Sequence, residues 1–195
     1  EIDASHLTKE GSAGNSLSKA LAPLKTSHNQ LTICFVDEFD KLFVSGNTND
    51  KKAHENANGV QNEFLRVLEA KTTEVFGDYG KYDTVDVNKV LFIFAGAFNG
   101  EESIDLPRLC QLGVKTEFLG RVSMVYNLPE PSVDSAISMI DDYDLLDSYL
   151  ALFSGIDRND AKTIISDRIK SKYRNNVIGL RLVNNIVHDF FINLK

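Results

Sequence analysis

The sequence has no long hydrophobic run, no basic cluster and almost no cysteine, and each absence removes a class of protein. Its longest apolar stretches, Leu31 to Val36 and Val90 to Ala95, are far too short to cross a bilayer, which takes about 20 residues as a helix. No secretory leader pattern is present. No run of Lys or Arg stands out and the formal net charge is -7, so nucleic acid is not an expected partner on electrostatic grounds. The two cysteines, Cys34 and Cys110, and four scattered histidines, His6, His28, His54 and His188, suggest neither a disulfide framework nor a zinc site. Cys34 sits in an apolar run and reads as a small core residue. A reducing, cytoplasmic compartment is expected. Internal repeats and low-complexity tracts are also missing. The chain opens on Glu1 rather than Met, and its first residues already read as folded sequence, so a fragment or trimmed chain is expected.

What is present is ordinary for a globular protein: 195 residues, 43% hydrophobic and 25% charged, enough for one large domain or a domain plus a small lid. Leu31 to Val36 is a short apolar, β-branched run that stops at Asp37-Glu38. Its continuity predicts a strand buried on both faces, as in a parallel sheet. Val90 to Ala95 is a second such run, ending at Gly96. Between them Val60, Phe64, Val67 and Leu68 recur at helical spacing, and Ser45 to Gly59 reads as an exposed polar loop ahead of that helix. Strand, helix, strand implies a βαβ crossover and an α/β sheet. After Asn127 the character changes. Leu128-Pro-Glu-Pro131 reads as a hinge and Ser132 as the N-cap of a helix to about Ile140. Further helical patterns cover roughly Asp144 to Phe153, Asp160 to Lys172 and Gly179 to Leu194. The boundaries expected are 1–127 for an α/β domain and 128–195 for a small helical one.

Phe35-Val36-Asp37-Glu38 is the sharpest chemical signal. Carboxylates at the carboxyl end of a parallel strand lie where α/β proteins place ligands. There Asp37 can hold a magnesium ion through water, and Glu38 can orient or deprotonate a water that attacks a γ-phosphate. The plainer reading is a strand ending in solvated acids at a loop.

The segment Asp37-Glu-Phe-Asp-Lys-Leu42 resembles the Walker B segment of the ClpX and HslU type of AAA+ ATPase, in the Clp/HSP100 family. The likeness continues in order. Asp3-Ala-Ser-His-Leu-Thr-Lys-Glu-Gly11 is similar to the stretch leading to the family's first pore loop. Gly59-Val-Gln-Asn-Glu-Phe-Leu-Arg-Val-Leu-Glu69 is similar to the helix after Walker B. Val85-Asp86 and Lys89 to Phe98 resemble its sensor-1 strand, and Glu117-Phe-Leu-Gly-Arg121 its arginine-finger segment. The resemblance implies the later part of an AAA+ large α/β domain followed by a small helical lid, with ATP and Mg2+ as cofactors. It implies that Arg121 acts in the nucleotide site of a neighbouring subunit, in a ring expected to be hexameric. A surface Arg at a turn is the other reading of Arg121.

The chain departs from the family in four places. No Gly-x-x-x-x-Gly-Lys-[Ser/Thr] occurs in it, so the amides that cradle phosphates would have to lie upstream of Glu1. The 195 residues alone are therefore expected to be inactive. The pore position carries Gly11-Ser-Ala-Gly14 in place of an aromatic grip. The insertion bearing an I-G-F type loop is missing, so docking on the ClpP peptidase is not expected. In Asn176-Val-Ile-Gly-Leu-Arg181 the sensor-2 arginine is replaced by Ile178. Arg181, three residues on and from nearly the same helical face, either substitutes in the nucleotide site or is a surface cation. The function expected is an ATP-dependent protein remodelling or unfolding subunit acting on a protein client without ClpP. The alternative is a degenerate AAA+ domain serving as a non-hydrolysing structural or adaptor subunit.

Overall fold

The structure is a computed structural model that describes residues 1–27, 30–43, 51–122, 124–153 and 155–194. It is mixed α/β and divides into two compact units, Glu1–Asn127 and Leu128–Lys195.

The first unit is built on a parallel sheet of β1 (Ile2–Asp3), β2 (Thr32–Asp37) and β5 (Val90–Phe94), in the order β1-β2-β5. The short α1 (Leu17–Ala20) follows β1, and α2 (Lys51–Glu69) follows β2. Thr32 pairs with Val90 and Val36 with Phe94, while Ile2 pairs with Val36. The crossover from β2 to β5 therefore contains α2, as the helical spacing of Val60, Phe64 and Val67 predicts. All three of those side chains are buried.

The crossover also contains an antiparallel hairpin, β3 (Thr72–Phe76) with β4 (Tyr82–Asp86). Its turn places Tyr79 at φ 55° and Gly80 at φ 73°, the left-handed pair that suits the twist of a tight hairpin. Val85-Asp86 accordingly ends β4, the strand before β5. The rest of that segment, Lys89 to Phe98, runs through β5.

Two other expectations are corrected. Helix α2 begins at Lys51, so the second half of the expected Ser45 to Gly59 loop is helical, while 44–50 lie outside the described residues. The early turns are pinned: the Asn56 side chain accepts from Lys9 N at 2.7 Å and donates to Leu7 O at 3.1 Å. Tertiary hydrogen bonds thus keep helical a stretch whose own propensity is weak. The strands are also not buried on both faces. Cys34 and Val36 are 6% and 0% exposed, but Ile33, Leu91 and Ile93 are 61%, 54% and 40% exposed. Alternation sends every second side chain to the other face, where these residues stay partly exposed.

Five phenylalanines join the pieces on the covered side. Phe39, just past β2, stacks on Phe118 with ring centroids 5.2 Å apart and meets Phe94 at 4.6 Å. Phe64 of α2 lies 5.4 Å from Phe94, and Phe43 lies 4.8 Å from Phe39. Phe118 belongs to α4 (Thr116–Leu119), which follows α3 (Leu106–Gln111). Helix α3 is capped by Asp105, whose Oδ1 accepts from Arg108 N at 2.8 Å.

The second unit is built of α5 (Val133–Ser138), α6 (Asp144–Leu152), α7 (Arg158–Tyr173) and α8 (Arg181–Ile192). Ser132 caps α5 through Ser135 N, and Asp157 caps α7 through Asn159 N and Asp160 N. Ala161, Ile165 and Ile169 recur every fourth residue on α7 and are fully buried, in one core with Val183, Ile186, Val187 and Phe190 of α8. Tyr149 of α6 stacks on Phe191 at 4.6 Å and is hydrogen-bonded to His188 Nδ1 at 2.6 Å. No helix among the described residues is long and apolar enough to cross a membrane.

Phe118 is 1% exposed and touches two other rings, so Phe118→Ala should destabilise the first unit by about 3–5 kcal/mol. In a urea titration followed by tyrosine fluorescence and amide exchange, only the second unit should keep its parent midpoint.

Candidate functional site

The carboxyl edge of the parallel sheet is where backbone strain and acidic side chains coincide. Four non-glycine residues among those described have φ between 45° and 59°, and three of them, Glu38, Phe98 and Asn99, follow β2 or β5 at this edge. A left-handed residue with a Cβ costs about 1–3 kcal/mol and persists where the surrounding structure over-determines it. Asp37 ends β2 half-buried, and its Oδ1 accepts from Glu38 N at 2.8 Å. Its Oδ2 has no partner among the described residues. Glu38, at φ 51° and ψ 31°, turns the chain out of the sheet and presents an exposed carboxylate with no side-chain partner among the described residues.

The turn after Glu38 is held from three sides. Phe39 N donates to Ala95 O at 2.8 Å, Ala95 N donates to Val36 O at 2.8 Å, and Lys41 N donates to Glu38 O at 2.9 Å. Asp40 is buried, with Lys41 Nζ 3.1 Å from its Oδ2. Asp40 stands inside the acidic motif without an expected role there, and its burial is a tertiary fact that no spacing announces.

The donors at Asp37 suit a hydrated divalent cation. One carboxylate oxygen has no partner among the described residues, the ion would keep several waters, and magnesium sites of this type use one or two carboxylates beside substrate phosphates. Among the described residues no group of three or more His, Cys, Asp or Glu side chains could hold a metal ion by itself, so further ligands would come from water and nucleotide.

Arg121 is elsewhere. Its Nε and one terminal nitrogen donate to Glu69 Oε1 at 3.0 and 2.7 Å. Glu69 ends α2 close to Lys71, whose carbonyl accepts from Val87 N, and Val87 O accepts from Val90 N at the start of β5. Arg121 is thus tied toward the edge where β5 begins, and Asp37 and Glu38 lie at the edge where β2 ends. Both partners are about half exposed, and such a pair is worth about 0–1 kcal/mol.

Arg181 is the first residue of α8, exposed, with no hydrogen-bond or ion-pair partner among the described residues. Ile178 does not share its helical face. It precedes the helix, in a turn where Asn176 Nδ2 donates to Gly179 O at 2.8 Å and Gly179 has φ 59°. That left-handed glycine delays the helix by two residues relative to the pattern.

Gly11-Ser-Ala-Gly14 forms an exposed turn, with φ of 84° at Gly11 and 138° at Gly14. It is anchored beneath by a pair of acids that sequence reasoning did not single out. Glu10 accepts from Tyr82 OH at 2.9 Å and Ser18 Oγ at 2.8 Å, and Glu10 N donates to Glu63 Oε1. Glu63 Oε2 is buried without a partner in the described structure. Burial, with a smaller push from Glu10, raises the Glu63 carboxyl above the ordinary glutamate value. Hydrogen bonds from Ser18 and Tyr82 outweigh burial at Glu10 and hold it low.

A raised carboxyl binds its proton more tightly folded than unfolded. Its contribution to stability is therefore complete below pH 4.5 and is lost as pH rises through the raised value. Glu63→Gln, which carries no charge to bury, should consequently gain Tm relative to the parent at pH 8 and show less gain at pH 4.5. Calorimetry at the two pH values checks this, and an equal difference at both would contradict it.

Comparison with known proteins accords with this geometry. A family model described as AAA domain (Cdc48 subfamily) matches residues 3–125. The ATP-dependent protease ATPase subunit HslU of Shouchella clausii is 34% identical over 115 residues, 59% of this chain and 21% of that protein. HslU of Rickettsia akari is 32% identical over 127 residues, 61% of this chain and 26% of that protein. HslU of Borreliella burgdorferi is 28% identical over 135 residues, 68% of this chain and 27% of that protein. The chain therefore spans only about a fifth to a quarter of the length of these relatives. The match runs through the sheet, α2 and α4, and the chain belongs to the AAA domain (Cdc48 subfamily) family, as a member of the Clp/HSP100 type similar to HslU.

Proposed function

We propose that this chain is part of an ATP-driven protein-remodelling subunit, working as a ClpX-like ring, expected to be hexameric, on a protein client and without a ClpP peptidase. The carrying observation is the pair Asp37 and Glu38 at the carboxyl edge of a parallel strand, one acid half-buried and the other turned outward by a left-handed backbone. In this reading residues 1–127 belong to the large AAA+ domain and 128–195 form its lid, in the cytoplasm.

Asp37 would hold a water of the magnesium ion through its free oxygen. Bound magnesium and ATP would supply the phosphoryl group and neutralise part of its charge. Glu38 would take the proton of the attacking water, for which an exposed, unpaired carboxylate is suited. Arg121 is paired with Glu69 at the end of α2 and makes no hydrogen bond to its own Asp37 or Glu38 among the described residues. That placement supports a role in a neighbour's site, where its guanidinium would meet charge on the phosphoryl oxygens. Leaving Glu69 would cost Arg121 little. Arg181, exposed at the start of α8 and without a partner among the described residues, is the candidate for a further phosphate contact.

One observation favours the second reading, a structural or adaptor subunit that hydrolyses nothing: Arg121 is already paired within its own chain. Two experiments on the whole-length protein separate the readings. Glu38→Gln should keep ATP affinity and lose turnover by about 10²-fold or more, measured by phosphate release; unchanged turnover would remove Glu38 from the mechanism. Mixing inactive Glu38→Gln and Arg121→Ala proteins should restore part of the activity, because some interfaces then pair an intact Glu38 with an intact Arg121. A lost finger costs about 10³-fold, so few repaired interfaces suffice. Full activity of Arg121→Ala in assembled protein would refute the finger.

A further inference from the structure

Asp40 is a buried acid that the proposed chemistry does not use. It lies two residues past Glu38, its side chain is 1% exposed, and Lys41 Nζ stands 3.1 Å from its Oδ2. Acids are almost never this buried unless they are paired. Facing it is Gly96, two residues beyond the end of β5. A Cβ at Gly96 would come within 2.6 Å of Asp40 Oδ1, 2.9 Å of Asp40 N and 3.0 Å of Asp40 Cβ. Gly96 is not in the left-handed region, so the close approach, and not its own backbone angle, requires a glycine. Between these contacts run the Phe39 N to Ala95 O and Ala95 N to Val36 O hydrogen bonds. The residue these contacts enclose is Glu38, with its left-handed φ.

We infer that Asp40 and Gly96 are a positioning pair: the buried carboxylate, neutralised by Lys41 and seated on the bare Cα of Gly96, holds the Glu38 peptide left-handed and so aims the Glu38 carboxylate. Its functional meaning rests on the proposed role of Glu38; its structural content does not. Neither residue touches reacting atoms, and both act through Glu38. Three substitutions probe the fit. Gly96→Ala puts a methyl where Asp40 lies. Asp40→Glu keeps the charge but adds a methylene that the gap to Gly96 has no room for. Asp40→Asn keeps the shape and loses the charge facing Lys41.

The deciding measurement is backbone NMR of the 195-residue chain, reading the Glu38 shifts and the exchange protection of the Phe39 amide. Gly96→Ala and Asp40→Glu should lower Phe39 protection by about tenfold or more and move the Glu38 shifts, while Ile165 in α7 keeps its protection. Should either variant fail to fold, the milder Asp40→Asn decides by the same amide. In the whole-length protein the same variants should lose kcat by about 10- to 100-fold with the KM for ATP little changed, a split that simple unfolding does not produce. Unaltered Phe39 protection and Glu38 shifts overturn the pair. Lost protection with parental kcat, where Glu38→Gln is inactive, overturns its aiming role. If Glu38→Gln is fully active, the base assignment falls, and lost protection still upholds the pair's hold on the turn.

Discussion

The ring of Phe39 is where the parts of the first unit meet. It touches Phe43, Phe64, Phe94 and Phe118, which come from its own turn, α2, β5 and α4. Its amide donates to Ala95 just past β5. One residue therefore joins both strand ends to the helices that cover them, and it directly follows Glu38. Aromatic pairs contribute about 0.5–1.5 kcal/mol each beyond the area they bury, so four of them are of a size to offset the roughly 1–3 kcal/mol cost of one left-handed residue. The strain at Glu38 sits beside a ring packed against four others, which adds to the close fit of Asp40 on Gly96.

The same logic separates the firm from the loose parts of the candidate site. Asp37, Glu38 and Asp40 are set by strand pairing, a packed turn and burial. Arg121 is set by one surface ion pair worth about 0–1 kcal/mol, which another anion can outcompete. In the proposed reading, a base held rigidly and a cation held lightly suit a site completed only when a second subunit arrives. The anchoring of the Gly11 to Gly14 turn on α2 is of the firm kind. Asn56 and Glu63 of α2 and Tyr82 of β4 each bind the segment that carries it, so the turn is tied to both elements.

Much of the fold was legible because its signals are local. Strands β2 and β5 are continuous apolar runs, α5 and α7 open on capping residues, and the helices of the second unit carry apolar residues every third or fourth position. The hairpin went unread, although Thr72-Thr-Glu-Val-Phe76 and Tyr82-Asp-Thr-Val-Asp86 flank a turn with Gly80, a recognisable pattern once β-branched residues are given weight. The early turns of α2 read as loop because their Asn, Lys and Gly composition is that of a loop. Their helicity comes from Lys9 and Leu7, some fifty residues away. The partial exposure of Ile33, Leu91 and Ile93 was missed because an apolar run states that burial is available and does not state that anything covers it.

By itself the sequence determined the order and type of most elements, the acidic pair at the end of a strand, and the likeness to Clp/HSP100 ATPases. These are properties of neighbours along the chain, and periodicity or motif spacing carries them. Tertiary structure alone decided that Glu38 is left-handed, that Asp40 is buried against Gly96, that Arg121 rests on Glu69, and that Glu63 hides an unpartnered oxygen. Each depends on groups distant in sequence approaching within hydrogen-bond or van der Waals distance. Residue spacing carries no record of that closeness, because it is produced by packing the strands and helices together.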